Sequence, residues 1–516
     1  MRNLGRLDPI TIQVLGSAFR SICEEMGAAL VRASYSTNIK ERRDCSTALF
    51  DASGLMIAQA EHIPVHLGAM PDAVAAVLEE SPDPGDFFIL NDPFHGGTHL
   101  PDITIVAPVS IGDEIVAYAA SRAHHADVGG SEPGSMPAGS RSLEDEGVVI
   151  PPSRIIAAGV FQEEFLTGLL SRMRNSRERR GDLQAQIGAV RVAQRRLLEL
   201  IEGQGRDNVL AAMEATLEYG ERRMRAAIRA LPDGVFSALD FLERNGQDLK
   251  IAVTVTVQGD GISIDFDGTS DQEEGNLNCP MPVTRSACYF VLRAVTDPDI
   301  PPNAGALKPV RIKAPKGSLL NARPPAAVVA GNVETSQRIA DTLVLALSQA
   351  MPLPAQGQGT MNNLILGSDE PKDRFNYYET IGGGAGACPD RDGASGIHLG
   401  MTNTLNTPVE ALEMAFPVRV ERYEFRTGSG GAGLHNGGDG VIRSLRLLKP
   451  ARLSLLSDRR RHGPKGAAGG EAGRPGRNLI NGKEVAGKLT MPLDAGDTIT
   501  VETPGGGGYG KPDSST

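Results

Sequence analysis

At 516 residues, with 40% apolar and 22% charged side chains, the chain has a globular composition and is too long for one ordinary core. Its formal charge of −11 argues against nucleic acid or an anionic membrane as partner, since either needs clustered Lys and Arg. Five cysteines (Cys23, Cys45, Cys279, Cys288, Cys388) are odd in number and form no CxxC, so neither a disulfide framework nor a thiolate zinc site is indicated.

The opening MRNLGRLDPITIQ lacks the apolar core of a secretory signal. No window reaches the roughly 18 apolar residues of a spanning helix, and a soluble cytoplasmic protein is expected. Asp8 can cap a helix over 9–34 with Pro9 in its first turn, because Ile10, Val14, Phe19, Ile22, Met26 and Leu30 recur at near-helical spacing. Residues 44–60 alternate around DASG, a strand–turn–strand pattern. EHIPVHLGAMPDAVAAVLEE predicts a loop and a short helix with Pro71 near its start. DFFILND, ITIVAPVS and EIVAYAAS predict strands between 86 and 124, followed by an irregular stretch over 131–153.

Two long helical runs within 176–231, separated by GQGRD, predict a helical hairpin. Beyond Leu231-Pro232-Asp233-Gly234, KIAVTVTV, GISIDFDG and VRIKAP are short β runs, and from about 355 the chain is rich in Gly. The expected fold is α+β, with mixed sheets, a long helical hairpin and a Gly-rich β C-terminal region. The expected division is 1–232 (a metal-bearing region with the hairpin), 233–354 (mixed α/β) and 355–516.

The densest chemistry lies in NDPFHGGTHLPD, residues 91–102. TIVAPVS and EIVAYAAS flank IGD, a tight-turn sequence, and pairing about Gly112 sets Leu100 opposite His124 and Asp102 opposite Arg122. His99 and Asp102 then meet the HHAD run, with His124, His125 and Asp127, at one end of a hairpin. A mixed nitrogen and oxygen set suits Zn²⁺, Mn²⁺ or Fe²⁺ better than Ca²⁺. His124 and His125 point to opposite sheet faces, so one of them ligates. Asp44, in ERRDCS, is an acid that could close the set. The plainer reading is of loop histidines satisfying backbone carbonyls in a Gly-rich turn. His62 and His66, with Pro64 between them, read as structural.

Other signals are weaker. GSGGAG at 428–433 is a literal GxGxxG without the following helix of a dinucleotide fold. Neither GxxxxGK[ST] nor GxSxG occurs.

NDPFHGGTHLPDITIVAPV and SRAHHADVGG, with NIKERRDCSTALFD, EGVVIPP, PPAAVVAGNVETSQRI, YYETIGGGAGA and ETPGGGGYG, resemble the hydantoinase B family across essentially the whole chain. That family includes subunits of N-methylhydantoinases, 5-oxoprolinases and acetone carboxylases. The resemblance implies a partner, a hydantoinase A-like ATPase subunit that uses ATP to phosphorylate the carbonyl oxygen of a lactam or hydantoin. This chain would then open the ring by hydrolysis at a divalent metal, within a hetero-oligomer. The implied metal set is Asp44, His99, Asp102 and His124, with His125 and Asp127 supporting it. Glu41 and Arg42 would flank it, moving a proton or holding a phosphate. Two other readings compete: a subunit of an ATP-dependent ketone carboxylase, and a non-catalytic scaffold for the ATPase.

Overall fold

Asp8 accepts hydrogen bonds from the backbone N–H groups of Ile10 and Thr11 at 2.9 and 3.0 Å. Behind that cap runs α1 (Pro9–Ala33), with Leu15, Phe19, Ile22, Met26 and Leu30 buried along one face. The protein is described from a computed structural model that covers residues 7–61, 63–244, 247–370, 372 and 374–512. A short α2 (Thr37–Lys40) leads into β1 (Cys45–Asp51) and β2 (Met56–Glu61), which form the expected hairpin about DASG. Then follow α3 (Met70–Glu79), β3 (Phe87–Leu90), β4 (Asp102–Ile111), β5 (Glu114–His124), α4 (Leu143–Glu146), β6 (Ser153–Ala157) and β7 (Val160–Phe161). The seven strands form one sheet in the order β2-β1-β5-β4-β3-β6-β7.

Both faces of this sheet are covered, which is why β4 and β5 read as near-continuous apolar text. Ile103, Ile105 and Ala119 join the core of α1 and of the helical hairpin, while Val106, Tyr118 and Ala120 pack with Met70, Val74 and Val77 of α3. After α5 (Glu163–Ser171), the predicted hairpin is present as α6 (Ser176–Gln204) and α7 (Arg206–Arg229). Its turn is shorter than GQGRD suggests: Gly205 alone, at φ +85°, separates the helices.

The next sheet, in the order β11-β10-β9-β8, holds β8 (Gly234–Leu242), β9 (Leu249–Gln258), β10 (Gly261–Asp265) and β11 (Val310–Lys313). Leu249, Ile251, Val253, Val255 and Val257 alternate inward from β9. They pack in one core with α8 (Met281–Val295) and with α10 (Ser336–Leu347), which follows a π-helical turn at Gly331–Thr335; the short α9 (Ala304–Leu307) precedes β11. The remaining strands are β12 (Asn363–Ser368), β13 (Phe375–Glu379), β14 (Val418–Arg426), β15 (Gly440–Leu447), β16 (Ala451–Leu456), β17 (Arg477–Ile480), β18 (Lys483–Val485), β19 (Lys488–Leu493) and β20 (Thr498–Glu502), with α11 (Val409–Ala415) between β13 and β14. They form two sheets, β13-β12-β16-β19 and β14-β15-β20-β17-β18, around a shared apolar core.

The α+β class read from the sequence is the one observed. The Gly-rich text of the last third packs backbone against backbone: a Cβ on Gly506 would stand 1.8 Å from the carbonyl oxygen of Ala385. Among the described residues, no helix is long and apolar enough to cross a membrane.

Candidate metal centre

The β4–β5 hairpin turns on Gly112 (φ +59°) and Asp113, and Asp102 stands directly opposite His124. This corrects the register read from the sequence, which sets Leu100 against His124 and Asp102 against Arg122. The turn is centred between residues 112 and 113, and a bulge between Val109 and Ser110 advances the ladder once more. Arg122 therefore faces Thr104, and its Nε donates to Thr104 Oγ1 at 2.8 Å.

The loop before β4 is fixed by its own polar residues. Asn91 Nδ2 donates to Leu100 O and Val148 O at 2.8 and 3.0 Å, and Asn91 Oδ1 accepts from Ile150 N at 2.7 Å. A Cβ on Gly97 would sit 2.3 Å from Asn91 O, so only glycine lets the loop fold this tightly. Arg122 donates to Gly96 O at 3.0 Å from below. His99 is thereby swung onto the end of the hairpin.

There, three donor atoms form a near-equilateral triangle. His99 Nε2 lies 3.1 Å from Asp102 Oδ1, His124 Nδ1 lies 3.2 Å from the same oxygen, and the two ring nitrogens are 3.2 Å apart. All three residues are buried. Although two nitrogens crowd Asp102 Oδ1, that oxygen receives no aligned hydrogen bond. Ligand atoms about 2.1 Å from a cation, at angles of roughly 95–100°, lie about 3.1–3.2 Å from one another. The triangle thus has the dimensions of one face of a coordination shell, and the donor set suits Zn²⁺, Mn²⁺ or Fe²⁺.

The second carboxylate oxygen is held elsewhere. Thr98 Oγ1 donates to Asp102 Oδ2 at 2.6 Å, and His66 Nε2 approaches it at 3.3 Å while its Nδ1 lies 3.1 Å from Ser46 Oγ. Burial works to raise the Asp102 pKa, but the His99 and His66 rings beside it outweigh that and hold the carboxyl well below the usual range. Burial lowers the His124 pKa, opposed by Asp102 and Asp44, which favours the neutral imidazole a cation requires.

From the C-terminal region, Tyr378 on β13 stacks on His124, with ring centroids 5.0 Å apart and planes 22° from parallel. Arg42 lies 4.3 Å over the Tyr378 ring. Its guanidinium donates to Tyr378 O, Thr380 Oγ1 and Thr404 Oγ1 at 3.0, 3.1 and 3.4 Å.

The other sequence-derived candidates are distributed around this point. Asp44 is buried beside the triangle: its carbonyl accepts the His124 N–H at 3.0 Å and its charge acts on the His124 ring. Its carboxylate is not among the three donors that converge. Glu41 ends α2, with its backbone N–H on Thr37 O. His125 faces the opposite side, as strand alternation requires; its Nε2 donates to Gln186 Oε1 on α6 at 2.9 Å, and burial pushes its pKa down to about 4. Asp127 accepts from Gly129 N at 2.7 Å and Gly134 N at 2.8 Å, and Arg174 Nη1 lies 3.2 Å away, so its carboxylate is engaged in shaping the following turn. His95 points outward and pairs with Asp92 at 2.7 Å. His62 lies outside the described residues.

Sequence reasoning assigns His66 to structure and passes over Thr98 and Tyr378 altogether. Thr98 lies within the NDPFHGGTHLPD motif, immediately before His99, but the only sign for Tyr378 is its place in the block YYETIGGGAGA. A cavity of about 850 Å³ between α5 and β6–β7 contains none of the triangle residues in its lining.

An α+β chain with two buried imidazoles and a carboxylate closed on one point is the class of protein that fold and geometry define. Residues 8–512 match the family model for hydantoinase B/oxoprolinase, and the chain belongs to that family. It is 40% identical to 5-oxoprolinase 1 of Arabidopsis thaliana, a match covering 98% of this chain and 42% of that protein. It is 33% identical to a protein of Pseudomonas sp. (strain NS671) named as the B-type component of a D-/L-hydantoinase, over 99% and 91% of the two chains. The crystal structure of the ATP-dependent caprolactamase from Pseudomonas jessenii superposes with a TM-score of 0.90 at 30% identity, over 98% of this chain and 91% of that one. The chain thus spans about two fifths of the 5-oxoprolinase it matches and nearly all of the hydantoinase component.

Proposed function

We propose that this chain is the hydrolytic subunit of an ATP-dependent cyclic amidase that opens a lactam or hydantoin ring. The observation that carries the reading is the triangle of His99, Asp102 and His124, whose edges match a divalent coordination face. Asp44, buried alongside, would complete the set for Mn²⁺, Zn²⁺ or Fe²⁺. When bound, such a cation acidifies water and polarises a carbonyl.

The protein's own groups prepare that point. Thr98 and His66 hold one carboxylate oxygen of Asp102 and so aim the other at the two imidazoles. Tyr378 fixes the plane of His124, and Arg42 fixes Tyr378. With its guanidinium engaged by backbone and hydroxyls, Arg42 serves better as this clamp than as a phosphate holder.

An amide carbon is a poor electrophile, so activation has to precede hydrolysis. The similarity to chains named for 5-oxoprolinase, D-/L-hydantoinase and ATP-dependent caprolactamase supports an ATP-using partner that phosphorylates the amide oxygen. Water then adds to the activated carbon, the ring C–N bond breaks with the nitrogen taking up a proton, and a second water cleaves the resulting acyl phosphate to the free acid and phosphate. The partner is a hydantoinase A-like ATPase subunit in a hetero-oligomer. A cytoplasmic setting, where ATP is plentiful, fits the five free cysteines.

The test is reconstitution with that partner and a lactam panel. The mixture should release ADP, phosphate and the ring-opened acid, while this chain alone should be inactive. Incorporation of labelled bicarbonate in place of hydrolysis would favour the carboxylase reading. Absence of stoichiometric metal after expression in metal-replete medium would favour the scaffold.

A further inference from the structure

β14 is the terminal strand of its five-stranded sheet, paired with β15 on one side and with no strand on the other. Before the bulge at Val420/Arg422 its outer edge is closed, because the Val420 N–H donates to Glu413 Oε1 of α11 at 2.8 Å. Beyond it, Glu421 through Phe425 are all exposed, so both faces of the strand and the edge between them meet solvent. Tyr423 and Phe425, 47% and 60% exposed, share one face. Their rings are held: Tyr423 lies 4.4 Å from the Arg443 guanidinium and its Oη donates to Asn406 Oδ1 at 3.2 Å, while Phe425 Cε1 would stand 2.7 Å from a Cβ on Gly396. Arg422 and Glu424 share the other face and pair with each other along the strand.

An open strand edge is a template for another strand, and proteins commonly guard it with charge. Here the charges alternate in sign, which turns away most strands but not a second β14. A twofold axis normal to the sheet runs two such strands antiparallel and matches each face with itself. Centred on Arg422 or on Glu424, the pairing sets that charge against its own copy, which is repulsive. Centred on Phe425, Glu424 would face Arg426, which is already held by Glu502 and by the carbonyl oxygens of Pro475 and Thr503. Centred on Tyr423, Arg422 of each copy faces Glu424 of the other, and the four charges alternate in a closed square. On the opposite face the two Tyr423 rings meet, each within diagonal reach of Phe425 from the other copy.

We propose that this chain forms a twofold dimer by antiparallel pairing of β14 with β14 of a second copy, in the register centred on Tyr423. The inference stands on the open edge and its self-complementary charges and does not depend on the hydrolytic reading. The seam abuts the surroundings of the metal centre: Asn406 Nδ2 donates to Thr380 O at 2.8 Å, and Thr380 Oγ1 accepts from Arg42.

The experiment is sedimentation velocity of the whole chain as wild type, Arg422→Glu and Glu424→Arg, with far-ultraviolet dichroism to confirm that each variant is folded. Wild type should sediment as a dimer. Each single reversal sets like charges across the axis twice and should weaken dimerisation at least about tenfold. An equimolar mixture of the two variants should dimerise at least as tightly as wild type, since every charge of one copy then faces its opposite on the other. A wild type that stays monomeric up to about 100 µM, single reversals that dimerise as wild type does, or a mixture no tighter than its components would overturn the proposal. Reversals that abolish binding of the ATPase partner while leaving self-association intact would give the edge to that chain instead.

Discussion

Tyr378 lies flat against His124, although the two residues are far apart in the chain and belong to separate sheets. The stack has a back side: Arg42 covers the ring, Tyr378 Oη donates to Asn363 Oδ1 at 2.9 Å, and Asn363 Nδ2 donates to Glu334 Oε1 at 2.8 Å. A buried polar chain from the middle and C-terminal regions thus sets the orientation of an N-terminal imidazole. Partners of this kind typically change metal affinity about 10–100-fold when removed. Tyr378→Phe keeps the ring and should hold metal within a few-fold of wild type. Tyr378→Ala frees His124 to turn and should lose about 10–100-fold, read by competition with a chromophoric chelator. Equal affinity in both variants would remove Tyr378 from any positioning role.

The triangle itself makes a sharper demand. His99→Ala and Asp102→Asn each delete one of three converging donors, so elemental analysis should find bound divalent metal reduced from near one equivalent to a small fraction. Asp102→Asn keeps the shape, and Thr98 and His66 remain beside it, so its far-ultraviolet dichroism should match wild type. Hydrolysis reconstituted with the partner should drop by at least about 10³-fold in either variant. Full metal loading in both would show the triangle to be a hydrogen-bond network and nothing more.

What the sequence discloses of this centre follows from the reach of local rules. A hairpin brings its ends together whatever else the chain does, so HxxD before β4 and HHxD after β5 are bound to meet. The register read from the sequence is off by two because neither the bulge at Val109/Ser110 nor the two-residue turn shows in a pattern of alternating apolar residues. The helical hairpin is legible from its 3.6-residue periodicity, and its tight turn is not, because one glycine at positive φ looks like any other. His66 and Tyr378 reach the centre through a 3₁₀ turn and a separate sheet, placements that depend on how whole layers stack. Asp127 stands two positions from His125 and reads as part of the cluster, yet the turn after β5 carries it to Gly129, Gly134 and Arg174.

Acid–base behaviour away from the centre gives a third expectation. Glu146 is buried and accepts from Val328 N, Val329 N and Ser140 Oγ at 3.1, 3.0 and 2.9 Å. Burial nonetheless pushes its carboxyl up to about 7, against an ordinary 4.5. The folded state then holds this proton more tightly than the unfolded chain, so the associated stability is full below about pH 4.5 and is lost as pH rises through about 7. The difference is on the order of 1–3 kcal/mol. Urea unfolding of the metal-stripped chain should show it between pH 5 and 7.5, and Glu146→Gln should flatten the profile over that interval. An unchanged slope in Glu146→Gln would assign the dependence to other groups.

Arg42 joins the two halves of the molecule more directly than any ligand does. Its guanidinium is fully buried, bridges Tyr378 O, Thr380 Oγ1 and Thr404 Oγ1, and stacks on the ring that stacks on His124. Lysine carries the same charge but neither the planar face nor the forked donors, so Arg42→Lys leaves carbonyl and hydroxyl groups unmatched in a buried place. The expected cost is about 2–4 kcal/mol in chemical denaturation. Metal affinity should fall alongside, because the Tyr378 ring loses its backing. If instead Arg42 held a phosphoryl group, Arg42→Lys would keep stability and metal and raise KM for the activated substrate alone. Measuring denaturation, metal binding and KM on the one variant separates the two roles.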